Sequence, residues 1–379
     1  MGMASICRAE IDPVSGIDFV TITAPGNAPW MGSGRPEFDL AIGRGRVDYE
    51  YRIGRTEITT AQWVDFMNAV YDRPAGDTLL FYPRQPLAWG AGGTAPINPG
   101  GTRWRVAPGN GDKLVGGISW RGAAMYCNWL HNDKRLDAEA LQSGVYDVRT
   151  FGAVLVNPEL NVYAFTDQAA RSPGARYFIP TLDEWMKAAH YDPTKLNQDG
   201  TRGGWWEYSN GSNTPYVYGP PGVLVNGVPA QANAGWLLDY PGFFPSEVRV
   251  GSYPSVTSPW GLLDVAGGIS EWTESILTRN IGDKFRYHDS SAFGSSSTVS
   301  DRIQSFGGDS PGLDASYLGL RIAAVVPSPI TSFPLVAGAC VILRRRRRVW
   351  RGECAASQRC VWHQSQRSAM PRTTWLSVV

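Results

Sequence analysis

The stretch Pro259–Thr273, PWGLLDVAGGISEWT, places two carboxylates, Asp264 and Glu271, among apolar residues, with Gly267 and Gly268 between them. Carboxylates in such company have three uses. They serve as general acid and base, as oxygen ligands for a hard cation, or as turn caps that accept backbone hydrogen bonds. The glycine pair suits the second use, because residues without a side chain turn their carbonyls inward at no steric cost. The loop does not carry the dense acids of an EF-hand. Elsewhere candidate chemistry is sparse. Five cysteines and four histidines form no C-x-x-C and no histidine-rich pattern, which argues against zinc and haem. Cys127 has no base at a telling spacing and reads as a small buried hydrophobe. His190 reads as a packed or dipole-satisfying residue near a helix end.

The elements that must position these residues have local signals. IDFVTITAPGNAPW (17–30) reads as a strand entering a turn. VDYEYRIGRTEITTAQWVDFMNAVY (47–71) reads as a strand and then a helix capped by Thr59 or Thr60, with Trp63, Phe66, Met67 and Val70 on its core face. ISWRGAAMYCNWL (118–130) gives a second helix with Ser119 as N-cap and Ala123, Ala124, Cys127 and Leu130 along one face. A third starts at the T-x-x-E capping box of Thr181 and Glu184, with Pro193 marking its end. Residues 203–253, dense in Gly, Pro, Asn and Trp, are expected to be ordered loops pinned by aromatic side chains. No repeat of 20–50 residues is visible, which argues against a solenoid or propeller.

Composition points the same way. The 15 tryptophans among 43 glycines and 27 prolines suggest a loop-rich globular fold rather than a helical bundle. The formal charge of +1 conceals an asymmetry. Residues 344–379 hold nine arginines against one acid, so removing that surplus of eight leaves residues 1–343 at −7. An acidic body argues against nucleic acid as a partner.

Four segments, in order, resemble the formylglycine-generating enzyme family, also called sulfatase-modifying factor domains. They are YRIGRTEITTAQWVDFMNAV, ISWRGAAMYCNWL with RYFIPTLDEWMKAAHYDP, VGSYPSVTSPWGLLDVAGGISEWT, and FGGDSPGLDASYLGLRIA. The resemblance implies an α+β fold related to C-type lectins, loop-rich with little regular secondary structure, over residues 17–326. It implies a Ca2+ site at Asp264, Gly267, Ile269 and Glu271, with carbonyl oxygens from Gly267 and Ile269. A second calcium site would use Asn233 and the carbonyl of Ala234, with Asp239 as its acidic ligand. Gly268 and Ser270 stand where the family commonly has asparagine and tryptophan. The family's oxidation of a substrate cysteine uses copper held by a cysteine pair, between a Gly-Gly-Ser-type strand and a final Gly-Phe-Arg-type strand. Here Gly307-Gly308-Asp309 and Gly319-Leu320-Arg321 stand for those strands, and SPGLDASYL between them has no cysteine. Soft Cu(I) needs thiolates. The expectation is therefore a member without copper, without formylglycine-generating activity and with no catalytic residues of that type. It would act as a calcium-stabilised module for a protein or glycan ligand. An active oxidoreductase on sulfatase-type cysteine peptides and a lectin-like carbohydrate-binding module are the alternatives.

The ends differ in character. Residues 1–16 form an extension with no apolar signal-peptide region. Residues 327–348 resemble a bacterial PEP-CTERM sorting signal, in Val326-Pro327-Ser328-Pro329, the apolar run to Leu343 and the cluster Arg344–Arg348. Serine replaces the usual glutamate, and the uncharacterised tail 349–379 follows the arginines. The resemblance implies export to the cell surface or beyond, with membrane association through that segment.

Overall fold

In the computed structural model the described residues are 10–33, 40–73, 76–93, 102–235, 240 and 244–327. Asp239, the arginine cluster, the sorting-like segment beyond Pro327, Cys7, Cys340, Cys354 and Cys360 lie outside them.

Four helices form where the caps are. Thr59 and Gln62 close a capping box on α1 (Thr60–Tyr71), and Ser119 Oγ accepts from the Gly122 N–H at the start of α2 (Trp120–His131). Asp137 caps the short α3 (Ala138–Gln142). Thr181 and Glu184 make the expected capping box of α4 (Leu182–His190). The expected core face of α1 is buried throughout, and α2 is buried on nearly every side. The two helices meet through aromatic rings, with Phe66 packed at 5.3 Å edge-on to Tyr126 and at 5.7 Å from Trp129. Such pairs add to the area they bury. Past α4 the chain goes directly into the strand Tyr191–Leu196, so Pro193 sits inside that strand rather than in a break. His190 is buried, and burial depresses its pKa to about 3. It is a packed, neutral ring and carries no charge to set against the helix dipole.

Two larger sheets, beside four two-stranded ones, organise the rest of the described residues. One has five antiparallel strands in the order Glu10–Ile11, Asp18–Ile22, Tyr51–Gly54, Ala323–Val325, Tyr177–Phe178. The other has four strands, Phe306–Asp309, Lys284–Asp289, Ser270–Thr278, Leu318–Gly319, the last pair running parallel. The Gly/Trp-rich stretch is largely loop, pinned as expected: Trp205 donates to the Ala28 carbonyl over 3.0 Å, and Tyr253 to that of Gly219 over 2.7 Å. The described tryptophans are buried or half-buried. A few short helices beside small sheets and long ordered loops make the expected loop-rich α+β architecture.

The Thr181 cap satisfies an otherwise orphaned helix N–H. Thr181→Ala is expected to lower the unfolding free energy by about 1 kcal/mol, read from urea denaturation followed by tryptophan fluorescence.

Candidate functional site

Neighbouring residues on a strand point to opposite faces, so the start of the strand Ser270–Thr278 serves two polar centres. Glu271 belongs to the core and Ser270 to a surface pocket.

Glu271 and Arg321 are both fully buried, and Arg321 Nη2 donates to Glu271 Oε1 over 2.7 Å. Arg321 Nε lies 2.9 Å from each carboxylate oxygen, and Trp185 Nε1 donates to Oε2 over 2.6 Å. The remaining guanidinium hydrogens go to the carbonyls of Gly54, Arg55, Leu263 and Asp264. Burial disfavours the charge on Arg321, yet Glu271, Glu57 and Asp264 around it hold its pKa above the usual arginine value. Glu271, a calcium ligand by resemblance, thus has both carboxylate oxygens engaged by Arg321 and Trp185.

Glu57 stands next to this pair and is absent from the sequence-based set. It is buried, and its Oε1 accepts from the Ile269 N–H over 3.1 Å. Burial first, then the charges of Glu271 and Asp264, push its carboxyl well above the usual range. Burial raises Asp264 to about 6, although the Gly251 N–H donates to its Oδ2. Glu57, Asn233, Asp264 and Gly268 line one cavity of about 10 Å3, enough for a single water-sized particle. Asn233 Nδ2 donates to the Pro245 carbonyl over 2.9 Å, while its Oδ1 is buried without a hydrogen-bond partner. One residue from each of the two expected ligand sets, Asp264 and Asn233, thus lines the same cavity. Asn233 bridges to Gly267 in parallel fashion, and its carbonyl accepts from the Gly268 N–H over 3.0 Å. Ala234 follows in the chain, fully buried, and Gly267 and Ile269 flank Gly268.

The glycine pair has a definite reason. Both residues have left-handed φ, 79° and 68°. A Cβ on Gly267 would stand 2.6 Å from the Asn233 nitrogen, and one on Gly268 would stand 2.6 Å from Glu57 Oε1. Among the described residues no group of three or more His, Cys, Asp or Glu side chains could hold a metal ion. The donors around the cavity are two carboxylates, an orphaned amide oxygen and backbone. Hard oxygen donors of this kind suit calcium and not copper or zinc.

The second centre is a pocket of about 480 Å3, within the range of small-molecule sites. Ser270, His288, Ser305, Phe306 and Tyr317 are among its walls. Ser270 Oγ lies 2.6 Å from His288 Nδ1 and 3.0 Å from the Asp289 carbonyl. On the far side of the ring, His288 Nε2 lies 3.2 Å from Asp309 Oδ2, which also accepts from Tyr317 Oη over 2.9 Å. Strand pairing makes this reach possible. His288 is opposite Gly307, where a Cβ would stand 2.3 Å from the imidazole, so glycine leaves the ring free to extend toward Asp309. The hydrogen bond from His288 holds Asp309 below the usual carboxylate range, and burial followed by Asp309 pushes Tyr317 up to about 12. Asp309 and Tyr317 lie near the two ends of the cysteine-free segment, which thus borders the pocket. Cys127, the one cysteine among the described residues, is buried in α2, and burial pushes its thiol well above the usual range.

A family model, the sulfatase-modifying factor enzyme 1-like domain, matches residues 18–326. The chain belongs to that family. Similar solved structures include CarF (18% identity, TM-score 0.48, covering 83% of this chain and 100% of that one). Variable protein 1 of Treponema denticola is 16% identical at TM-score 0.47, over 84% of this chain and 99% of that one. PvdO from Pseudomonas aeruginosa is 14% identical at TM-score 0.43, over 85% and 99%. No curated protein matches the chain.

Glu271→Gln would leave Arg321 buried without its counter-charge. The expected cost is about 3–5 kcal/mol, measured as a shift in the urea midpoint at unchanged slope.

Proposed function

We propose that this sulfatase-modifying factor domain works as a calcium-stabilised, exported or surface module whose pocket takes an organic ligand without copper chemistry. The observation that carries the reading is the pocket wall, which offers hydroxyls and the His288 imidazole, with the Asp309 carboxylate behind that ring. Hydroxyls and a carboxylate hold soft Cu(I) poorly, and one imidazole does not replace a thiolate pair. Turnover of a Cys-x-Pro-x-Arg peptide with added copper checks it: unchanged peptide is expected, and formylglycine in the product would overturn the reading. The lectin-like alternative draws less support, because most of the described tryptophans are buried in the core.

For calcium, Glu57, Asp264 and the Asn233 amide oxygen would supply side-chain ligands, with carbonyls of the Gly267–Ile269 loop beside them. Glu271 then fixes the loop through Arg321 while adding negative charge nearby. Burial raises the pKa of both carboxyls, and a bound divalent cation would favour their deprotonated forms.

The sign follows. Without metal, the raised folded pKa of Asp264, about 6 against the ordinary 3.8, gives a stabilisation that is full below about pH 4 and lost as pH rises through 6. Calcium binds the deprotonated groups, so its effect runs the other way. Added calcium is expected to raise Tm more at pH 7.5 than at pH 5, by differential scanning fluorimetry. Asp264→Asn together with Glu57→Gln should remove most of that response while leaving a folded protein. A Tm indifferent to calcium and chelator at both pH values would reduce these carboxylates to turn caps.

A further inference from the structure

We infer that Ser270 is a nucleophile for acyl transfer, with His288 as its general base and Asp309 as the group that positions the imidazole. The inference rests on reading the pocket as a ligand site without copper chemistry, and deepens it by naming a substrate class: a carboxylic ester with a small acyl group.

The three side chains come from three neighbouring strands, Ser270–Thr278, Lys284–Asp289 and Phe306–Asp309. They form an unbroken line from the serine hydroxyl, 2.6 Å to Nδ1, through the ring, and 3.2 Å from Nε2 to the carboxylate. A nucleophile, a base within hydrogen-bond reach and a third group orienting the base are the parts that activate a serine. The ring is used in the opposite sense to the usual serine relay, with Nδ1 toward the nucleophile. Geometry and role, not the numbering of the nitrogens, decide function.

Asp309 favours the tautomer with its proton on Nε2, which leaves Nδ1 as acceptor for the Ser270 proton. Tyr317 donates to the same Oδ2 and fixes the carboxylate in place. The Asp289 carbonyl, 3.0 Å from Ser270 Oγ, is a second acceptor for the resting hydroxyl and holds Oγ in position. Both His288 and Asp309 are only partly shielded, at 13% and 27% side-chain exposure, so the relay borders solvent and is not sealed in the core. Ser295, Ser300 and Ser305 also line the pocket, placing further hydroxyl groups on its walls, and Phe306 and Ala292 give apolar surface for the acyl chain.

The chemistry balances without any other reagent than water. Ser270 Oγ forms a bond to the ester carbonyl carbon as its proton passes to His288 Nδ1. The bond to the leaving oxygen then breaks, and that oxygen takes the proton from Nδ1, departing as an alcohol. Water attacks the acyl-serine by the same route, releasing a carboxylic acid and restoring Ser270.

The test uses the full chain, a fluorophosphonate probe and a set of p-nitrophenyl esters of increasing acyl length. Expected is a single covalent adduct, mapped by peptide mass spectrometry to Ser270. It should be lost in Ser270→Ala and form at least about 100-fold more slowly in His288→Gln, the scale of general-base catalysis. Asp309→Asn should slow labelling and lower kcat on the esters with little change in KM. Because a pocket variant can unfold, near-ultraviolet circular dichroism of each is compared with the parent. A second handle is Ser270→Cys, whose alkylation by iodoacetamide should be faster with His288 present than with His288→Gln. No adduct on the folded parent, an adduct that persists in Ser270→Ala, or labelling indifferent to His288 would each overturn the inference. Formylglycine from the cysteine peptide would sink the reading of the pocket as copper-free, and the labelling result would still stand by itself.

Discussion

The domain is tied together by one buried ion pair. Arg321 sits at the end of the family-matched region, and its guanidinium gives hydrogen bonds to Glu271 and to four carbonyls from two other segments, Gly54–Arg55 and Leu263–Asp264. Taking both charges out of water costs several kcal/mol per ion. That cost is offset where nearly every donor and acceptor finds a partner, as here, with Trp185 filling the last position on the carboxylate. Loops with little secondary structure have few ladder hydrogen bonds to specify their path. A fixed, planar, five-donor group is well suited to specify it for them.

The charge of that pair spreads outward. Glu57 and Asp264 are close enough for their negative charge to help keep Arg321 charged, while Arg321 only partly relieves their own burial. A second knot repeats the logic on the other side of α4. Arg171 lies between Glu184 and Glu274, donating over 2.7 and 2.9 Å, while the Glu184 carboxylate also completes the helix cap at Thr181. At the start of the strand Ser270–Thr278, alternation turns Glu271 to the ion pair and Ser270 to the pocket, while Glu274 lies where the strand register shifts.

How much of this was legible depended on the range of the interaction. The caps at Thr59, Ser119 and Thr181 and the stripe Trp63, Phe66, Met67, Val70 are local, decided within one or two turns, and they form as read. Asp264, Glu271 and the glycine pair stood out because acids among apolar residues are conspicuous. Their partners did not. Arg321 is fifty positions from Glu271, and Glu57, in the polar run RTEITT, looks like any acid before a helix. Only tertiary packing buries it against the Ile269 N–H. Ser270, His288 and Asp309 are likewise brought together by strand pairing alone. The sequence signals were there but mute: a serine in place of a bulky ring, and Gly307 two residues before an acid. His190 was readable as packed but not as neutral, since the depth of burial that removes its charge is a property of the whole fold.

The position of the strand Ala323–Val325 has a consequence for how the chain comes to be folded. It lies between Tyr51–Gly54 and Tyr177–Phe178, so the five-stranded sheet is completed by the last part of the domain to be synthesised. Until it is in place, Tyr51–Gly54 and Tyr177–Phe178 lack their shared neighbour and Glu271 lacks its arginine. Contacts between residues nearly three hundred positions apart make closure slow by the loop entropy they require. Until then Tyr51–Gly54 keeps an open edge and Glu271 has no counter-charge. The sheet is in that sense closed by the last strand of the domain.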